Sequence, residues 1–207
     1  TRRKSLIIRS KGRVFGELGF SLRRKTLTLR TDSRLVGSPT LWMATLLVII
    51  YVTTAILAGN IFEPDLSAVY PFLQVNAAIW HGAIWMLFTS MFLHANLLHL
   101  GGNVFFLLLF GTALEEQVSP GRWMMTYLAS GLVGNVAFLL LGGDAVGLGA
   151  SGAIWGLLAA AGGVRGLVGM VFYGGLNIFS GGGVLAHAGG LLAGLALRFS
   201  WLRRSPR

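Results

Sequence analysis

The stretch GLGASGAIWG, from Gly147 to Gly156, sets one serine among glycines in an apolar surrounding. A serine in a membrane helix ordinarily bonds back to a carbonyl one turn earlier and does no chemistry. Three other polar groups change that reading of Ser151. His99 and Asn103 stand four residues apart in HLGGN and share a helical face. His187 lies in LAHAGGLLAG. A serine hydroxyl becomes a useful nucleophile beside a base, and histidine is the usual base near neutral pH. No carboxylate inside the apolar segments is available to orient the histidine, since Asp144 precedes Ser151 in a loop, so the residues predict a Ser151–His187 dyad. Trp155, one turn below Ser151, is placed to stack on the His187 ring. A tetrahedral oxyanion needs preorganised donors, and the Asn103 amide, the His99 ring and the Ser151 backbone N–H are the candidates.

Such groups need a scaffold, and composition defines its class. The 207 residues are 54% hydrophobic and 12% charged, which places the chain among integral membrane proteins. Thirty glycines suit helices in close contact. With no cysteine, disulfides, thiolate metal sites and a cysteine nucleophile are excluded. Apolar runs predict six spans: 41–58, 97–114, 122–141, 150–163, 166–180 and 184–200. Residues 60–95 read as a long external loop with interfacial helix, rich in tryptophan.

The formal charge of +10 is distributed as membrane flanks rather than as a nucleic-acid surface, so the lipid bilayer is the expected partner of the basic ends and no nucleic acid is. Eleven of the seventeen Lys and Arg lie in residues 1–34 and four at the end of the chain: Arg198, Arg203, Arg204 and Arg207. Arg122 and Arg165 fall in the two turns that six spans would put inside. The external loops hold none, which predicts cytoplasmic N- and C-termini. In that topology spans 2, 4 and 6 enter from outside, and His99, Asn103, Ser151 and His187 all lie within about two turns, about 10 Å, of the outer ends of their helices. Gly152 with Gly156, and Gly190 with Gly194, form four-residue stripes that permit close contact between spans 4 and 6.

His99-x-x-x-Asn103, Gly149-Ala150-Ser151-Gly152 and Ala186-His187-x-x-Gly190-x-x-x-Gly194, in this order on spans 2, 4 and 6, resemble the rhomboid intramembrane serine proteases. The resemblance covers residues 41–200. It implies an all-α bundle of six transmembrane helices, a Ser151 nucleophile, a His187 base and an oxyanion site at His99 and Asn103. It also implies cleavage of single-pass membrane proteins near the outer face, no cofactor, and a supporting or water-organising His94, with Gly149, Gly152 and Trp155 shaping the cavity. The chain departs from the family where a Trp-Arg pair is common in the first external loop, because Trp85 is followed by Met86. Trp155 stands where the family often has tyrosine. The interval from Ser151 to His187 implies a very tight turn between spans 4 and 5, or a stretch missing there.

The expected organisation is a basic cytoplasmic arm or small cap over 1–38, a membrane domain over 39–201 and a basic tail over 202–207. KTLTLRT in the arm alternates like a short strand. Asn135, Asn177 and Thr126 read as interhelical hydrogen-bonding groups, His81 as an interfacial residue, and Glu115 and Glu116 as solvated. A zinc site is disfavoured: His94 and His99 are five apart, on different helical sides, and H-E-x-x-H is absent. A transporter would call for repeats or paired broken helices, and neither is seen. The remaining rival is a rhomboid-like protein that binds membrane clients without cutting them.

Overall fold

The computed structural model describes residues 37–162, Gly169 and residues 183–202. The basic arm up to residue 36 with its strand, the fifth span apart from Gly169, Asn177, and the tail beyond residue 202 lie outside the described residues.

Helix α1, Pro39–Ala58, opens with proline in the first turn, where its missing N–H costs nothing, and with the Ser38 hydroxyl accepting from the Leu41 amide at 3.2 Å. It stops at Gly59, in the left-handed conformation. The long loop after α1 holds a 3-10 turn, Leu66–Phe72, and two short helices, α2 (Asn76–Trp80) and α3 (Met86–Thr89). Helix α4, Leu97–Glu115, is capped by Asn96, whose Oδ1 accepts from the His99 amide at 2.8 Å. Helix α5 covers Pro120–Leu141, α6 covers Ser151–Ala161 and α7 covers Val184–Leu202. Helices α1, α4, α5 and α7 are long and apolar enough to cross a membrane. Their outward apolar side chains, such as Trp42, Ile56, Phe105 and Leu140, suit lipid rather than water. The protein is a multi-pass integral membrane protein.

Helix α6 is different. Its 11 residues rise about 16 Å, roughly half of a bilayer's apolar thickness, and Gly152 to Ala161 are all buried. It runs inside a sheath of α4, α5 and α7, with Leu157 and Leu158 packed in the same core as Leu107, Phe110 and the stacked pair Trp123–Tyr127. The last carbonyls of a helix have no partner within it. Arg198 on α7 supplies the donors: its Nη1 reaches the carbonyls of Ala160 and Ala161 at 2.6 and 2.8 Å. Gln117 donates to the Ala161 carbonyl at 3.1 Å.

The glycine stripes of α6 and α7 face each other. A β-carbon at Gly190 would overlap the Gly152 carbonyl, and one at Gly194 would overlap that of Gly156. These helices therefore meet backbone to backbone. At the C-terminal end of α4, Glu115 is half-buried and accepts from the Ser38 and Thr40 hydroxyls at 2.9 and 2.7 Å, tying α4 to α1. This corrects the expectation of a solvated Glu115. Glu116 is exposed as expected. Thr126 bonds to the Arg122 carbonyl at 2.7 Å, within its own helix and not across to another.

One element of β-structure was not anticipated. Strand β1 (Gln74–Val75) in the long loop pairs antiparallel with β2 (Val146–Gly147), just before Ser151. The adjoining Asn76 amide donates to the Ala145 carbonyl at 3.2 Å, and the Asn76 side chain donates to Phe138 and Gly143 carbonyls at 3.1 and 2.8 Å. The loop has its own apolar core, in which buried Met86 packs with Val75, Ile79 and Leu139. Trp85 holds the loop by donating to the Pro71 carbonyl at 2.9 Å.

Gly190→Ala should cost about 1–3 kcal/mol, because the methyl group meets backbone that cannot rotate away. Thermal unfolding of the purified protein in detergent checks this, with Gly101→Ala, whose β-carbon meets open space, as the benign control.

Candidate active site

Ser151 is the first residue of α6 and His187 lies in the first turn of α7. Because these helices touch through glycines, the two side chains span a short gap. Ser151 Oγ and His187 Nε2 are 2.7 Å apart, within hydrogen-bonding distance. His187 is buried and Ser151 half-buried. The Trp155 ring stacks on that of His187, with centroids 5.8 Å apart and planes 27° from parallel. An imidazole held face-on by an indole has little freedom to swing away from the hydroxyl. At this distance an unprotonated Nε2 can take the serine proton as Oγ attacks an electrophile.

The backbone leading into Ser151 has a special shape. Gly149 has φ +124°, which L side chains rarely adopt, and a β-carbon there would lie 2.9 Å from His99 Nε2. His99 is thus packed against the serine loop. Its other neighbour is the buried His94, edge-on with centroids 5.2 Å apart. Asn103, one turn further along α4, is buried; its Nδ2 donates to the His99 carbonyl at 3.0 Å, and its Oδ1 has no hydrogen-bond partner among the described residues. An amide Nδ2 bears two hydrogens, so a second one remains to be donated. The N-terminus of α6 has no side-chain cap. The Ser151 N–H therefore lies at the positive end of a helix dipole, an environment that favours an anion.

The structure brings Ser151, His187, Trp155, Gly149, His99 and His94 into one cluster, with Asn103 beside His99. Gly152 backs the Ala186 carbonyl, next to His187, at 3.2 Å from where its β-carbon would stand. Gly156, Gly190 and Gly194 serve the helix contact below. His81 is exposed, with Nδ1 2.7 Å from the Ala77 carbonyl, outside the cluster.

Sequence reasoning missed several supporting residues. Arg198 was counted only as a basic flank, although an arginine still within an apolar helix signals a buried acceptor. Asn135 makes the interhelical bond expected of it, donating to the Leu87 carbonyl of α3 at 2.8 Å, and donates also to Ser90 Oγ at 3.0 Å. Gln74, fully buried, donates to the Asn135 carbonyl at 2.8 Å. A glutamine and an asparagine in an apolar loop were the available signal.

With this geometry in view, residues 81–163 match the family model described as Rhomboid domain. That stretch includes His94, His99, Asn103 and Ser151 and ends before His187. The chain is similar to Rhomboid-like protease 3 of Toxoplasma gondii, with 30% identity over 98 residues, 44% of this chain and 35% of that protein. It is also similar to Rhomboid protease GluP of Bacillus subtilis, with 39% identity over 57 residues, 28% of this chain and 11% of that protein. The matched stretches thus span about a third and about a tenth of these relatives' lengths.

Gly149→Ala should destabilise the protein by about 1–3 kcal/mol through backbone strain and displace the His99 ring. Thermal unfolding together with imidazole NMR signals assigned to His99 checks both effects.

Proposed function

We propose that this chain, a rhomboid family protein, is an intramembrane serine endopeptidase that cleaves transmembrane segments of single-pass membrane proteins near the outer face. The observation that carries the reading is the 2.7 Å approach of Ser151 Oγ to His187 Nε2 at the outer ends of two helices locked together by glycines. The activities of the two named relatives support it.

In this mechanism a substrate helix unwinds beside the cavity, which is least costly where it carries small or helix-breaking residues. His187 Nε2 takes the Ser151 proton as Oγ bonds to the scissile carbonyl carbon. The carbonyl oxygen becomes an oxyanion, held by the Ser151 N–H, the Asn103 amide and the His99 ring. As the C–N bond breaks, His187 gives its proton to the leaving amine, and the acyl group stays on Ser151. Water then attacks the ester, His187 takes one of its protons and returns it to Ser151 Oγ as the C–O bond breaks, and the new carboxylic acid leaves and loses its remaining proton to solvent. Trp155 keeps the imidazole aligned throughout, while His94 supports the water-bearing side of the cavity. No metal or organic cofactor takes part.

Six spans and inward-facing termini complete the proposed architecture, with the basic arm over 1–38 and the tail over 202–207 on the anionic cytoplasmic leaflet. The 11 residues of α6 are too few to span a bilayer, which supports a Ser151 set within the membrane's depth rather than at its surface.

Ser151→Ala and His187→Ala should each abolish cleavage of a membrane-embedded model substrate and labelling by a fluorophosphonate, with the label on wild type mapping to Ser151. Asn103→Ala should lower kcat by about a hundredfold to a thousandfold, as loss of one oxyanion donor does. Unimpaired cleavage by the Ser151 variant would sink the mechanism. A folded wild type that neither cuts nor labels would favour the client-binding alternative.

A further inference from the structure

The turn of α5 that carries Gly134 and Asn135 backs both halves of the Ser151–His187 pair. A β-carbon at Gly134 would overlap the carbonyl of Ala186, the residue before His187. One residue on, Asn135 Nδ2 donates to the Leu87 carbonyl and to Ser90 Oγ. The Ser90 carbonyl in turn accepts the Gly149 amide at 2.9 Å. A continuous path of hydrogen bonds therefore runs from a helix that contributes nothing to the dyad to the backbone two residues before the nucleophile.

We propose that Asn135 is a positioning residue that, through Ser90, fixes the orientation of the Gly149 peptide and so the placement of Ser151 and its N–H. The proposal rests on the protease reading above. Asn135 and Ser90 are 8% and 1% exposed, so water cannot readily replace a lost donor. Asn135 holds the loop at two points, the Leu87 carbonyl inside α3 and the hydroxyl just past its end, which fixes the direction of the Ser90 carbonyl. That carbonyl meets the one glycine of the serine loop whose φ and contact with His99 leave little alternative geometry. A small shift of Ser90 is therefore passed to the Ser151 N–H rather than absorbed.

The test uses the purified full chain as wild type, Asn135→Leu, Ser90→Ala and the double variant. Leucine keeps the side-chain volume and removes the donor. Fluorophosphonate labelling gives two readouts: its amplitude reports the folded fraction, and its rate constant reports the geometry of each folded site. The rate constant should fall about tenfold to a hundredfold in Asn135→Leu at retained amplitude. Cleavage of the model substrate should show the fall in kcat with KM within about twofold of wild type. Ser90→Ala should slow labelling as well, and the double variant should be no slower than Asn135→Leu, because both act on one path. A loss of amplitude with an unchanged rate constant, or strictly additive effects, overturns the proposal and leaves a structural role. If Asn135→Leu does not fold, an unchanged rate constant in Ser90→Ala overturns it, and a slowed one at full amplitude supports it. Failure of folded wild type to cut or label overturns the protease reading and this proposal with it, whereas active wild type with fully active variants overturns this proposal alone.

Discussion

Gly152 and Gly156 on α6 meet Gly190 and Gly194 on α7 with no side chain between them, and the other features of the site follow from that contact. Serine and histidine side chains are short. Their 2.7 Å approach is possible because the backbones that carry them are already in contact. Close backbone packing also exchanges the adaptability of side chains for a fixed distance, since a helix pair touching through glycines has almost nothing to repack. Trp155 removes the remaining freedom by lying on the imidazole face.

The bilayer then sets the polar requirements. In lipid every buried polar group, backbone or side chain, needs an internal partner, and this chain meets that demand at three places. Glu115 accepts from the Ser38 and Thr40 hydroxyls at the start of α1, Arg198 and Gln117 donate to the last carbonyls of α6, and Gln74 with Asn76 and Asn135 stitches the long loop to α5 and to the segment before Ser151. Met86 occupies the place beside Trp85 where an arginine is common in the rhomboid proteases that the sequence resembles. In this chain it anchors the loop by burial, and Trp85 does so through its indole N–H.

The parts legible in the sequence were those with a local cause. Apolar length gave the long helices to within a few residues, and Pro39, Pro120 and the Ser38 and Asn96 caps are ordinary start signals. Four-residue glycine spacing on two helices pointed to close contact because one such face can meet its like. The parts not legible depend on which distant segments meet. Nothing local to Glu115 says that Ser38 and Thr40 will reach it. Nothing in two residues of strand propensity foretells the pairing of Gln74–Val75 with Val146–Gly147. Asn135 read correctly as an interhelical hydrogen-bonding residue, but which helix it meets, the short α3, depends on a loop path that the sequence leaves undetermined.

The shortness of α6 also bears on how the protein is made. A segment of 11 residues is too short to be held across a bilayer by its own hydrophobicity, and its residues from Gly152 onward touch protein rather than lipid. During synthesis α6 has no stable resting place until its neighbours are present, and the last of these, α7, also brings Arg198 to its exposed carbonyls and His187 to its serine. The end of α6 and its Ser151 thus find their partners on one and the same helix, so whatever displaces α7 costs the chain both contacts together.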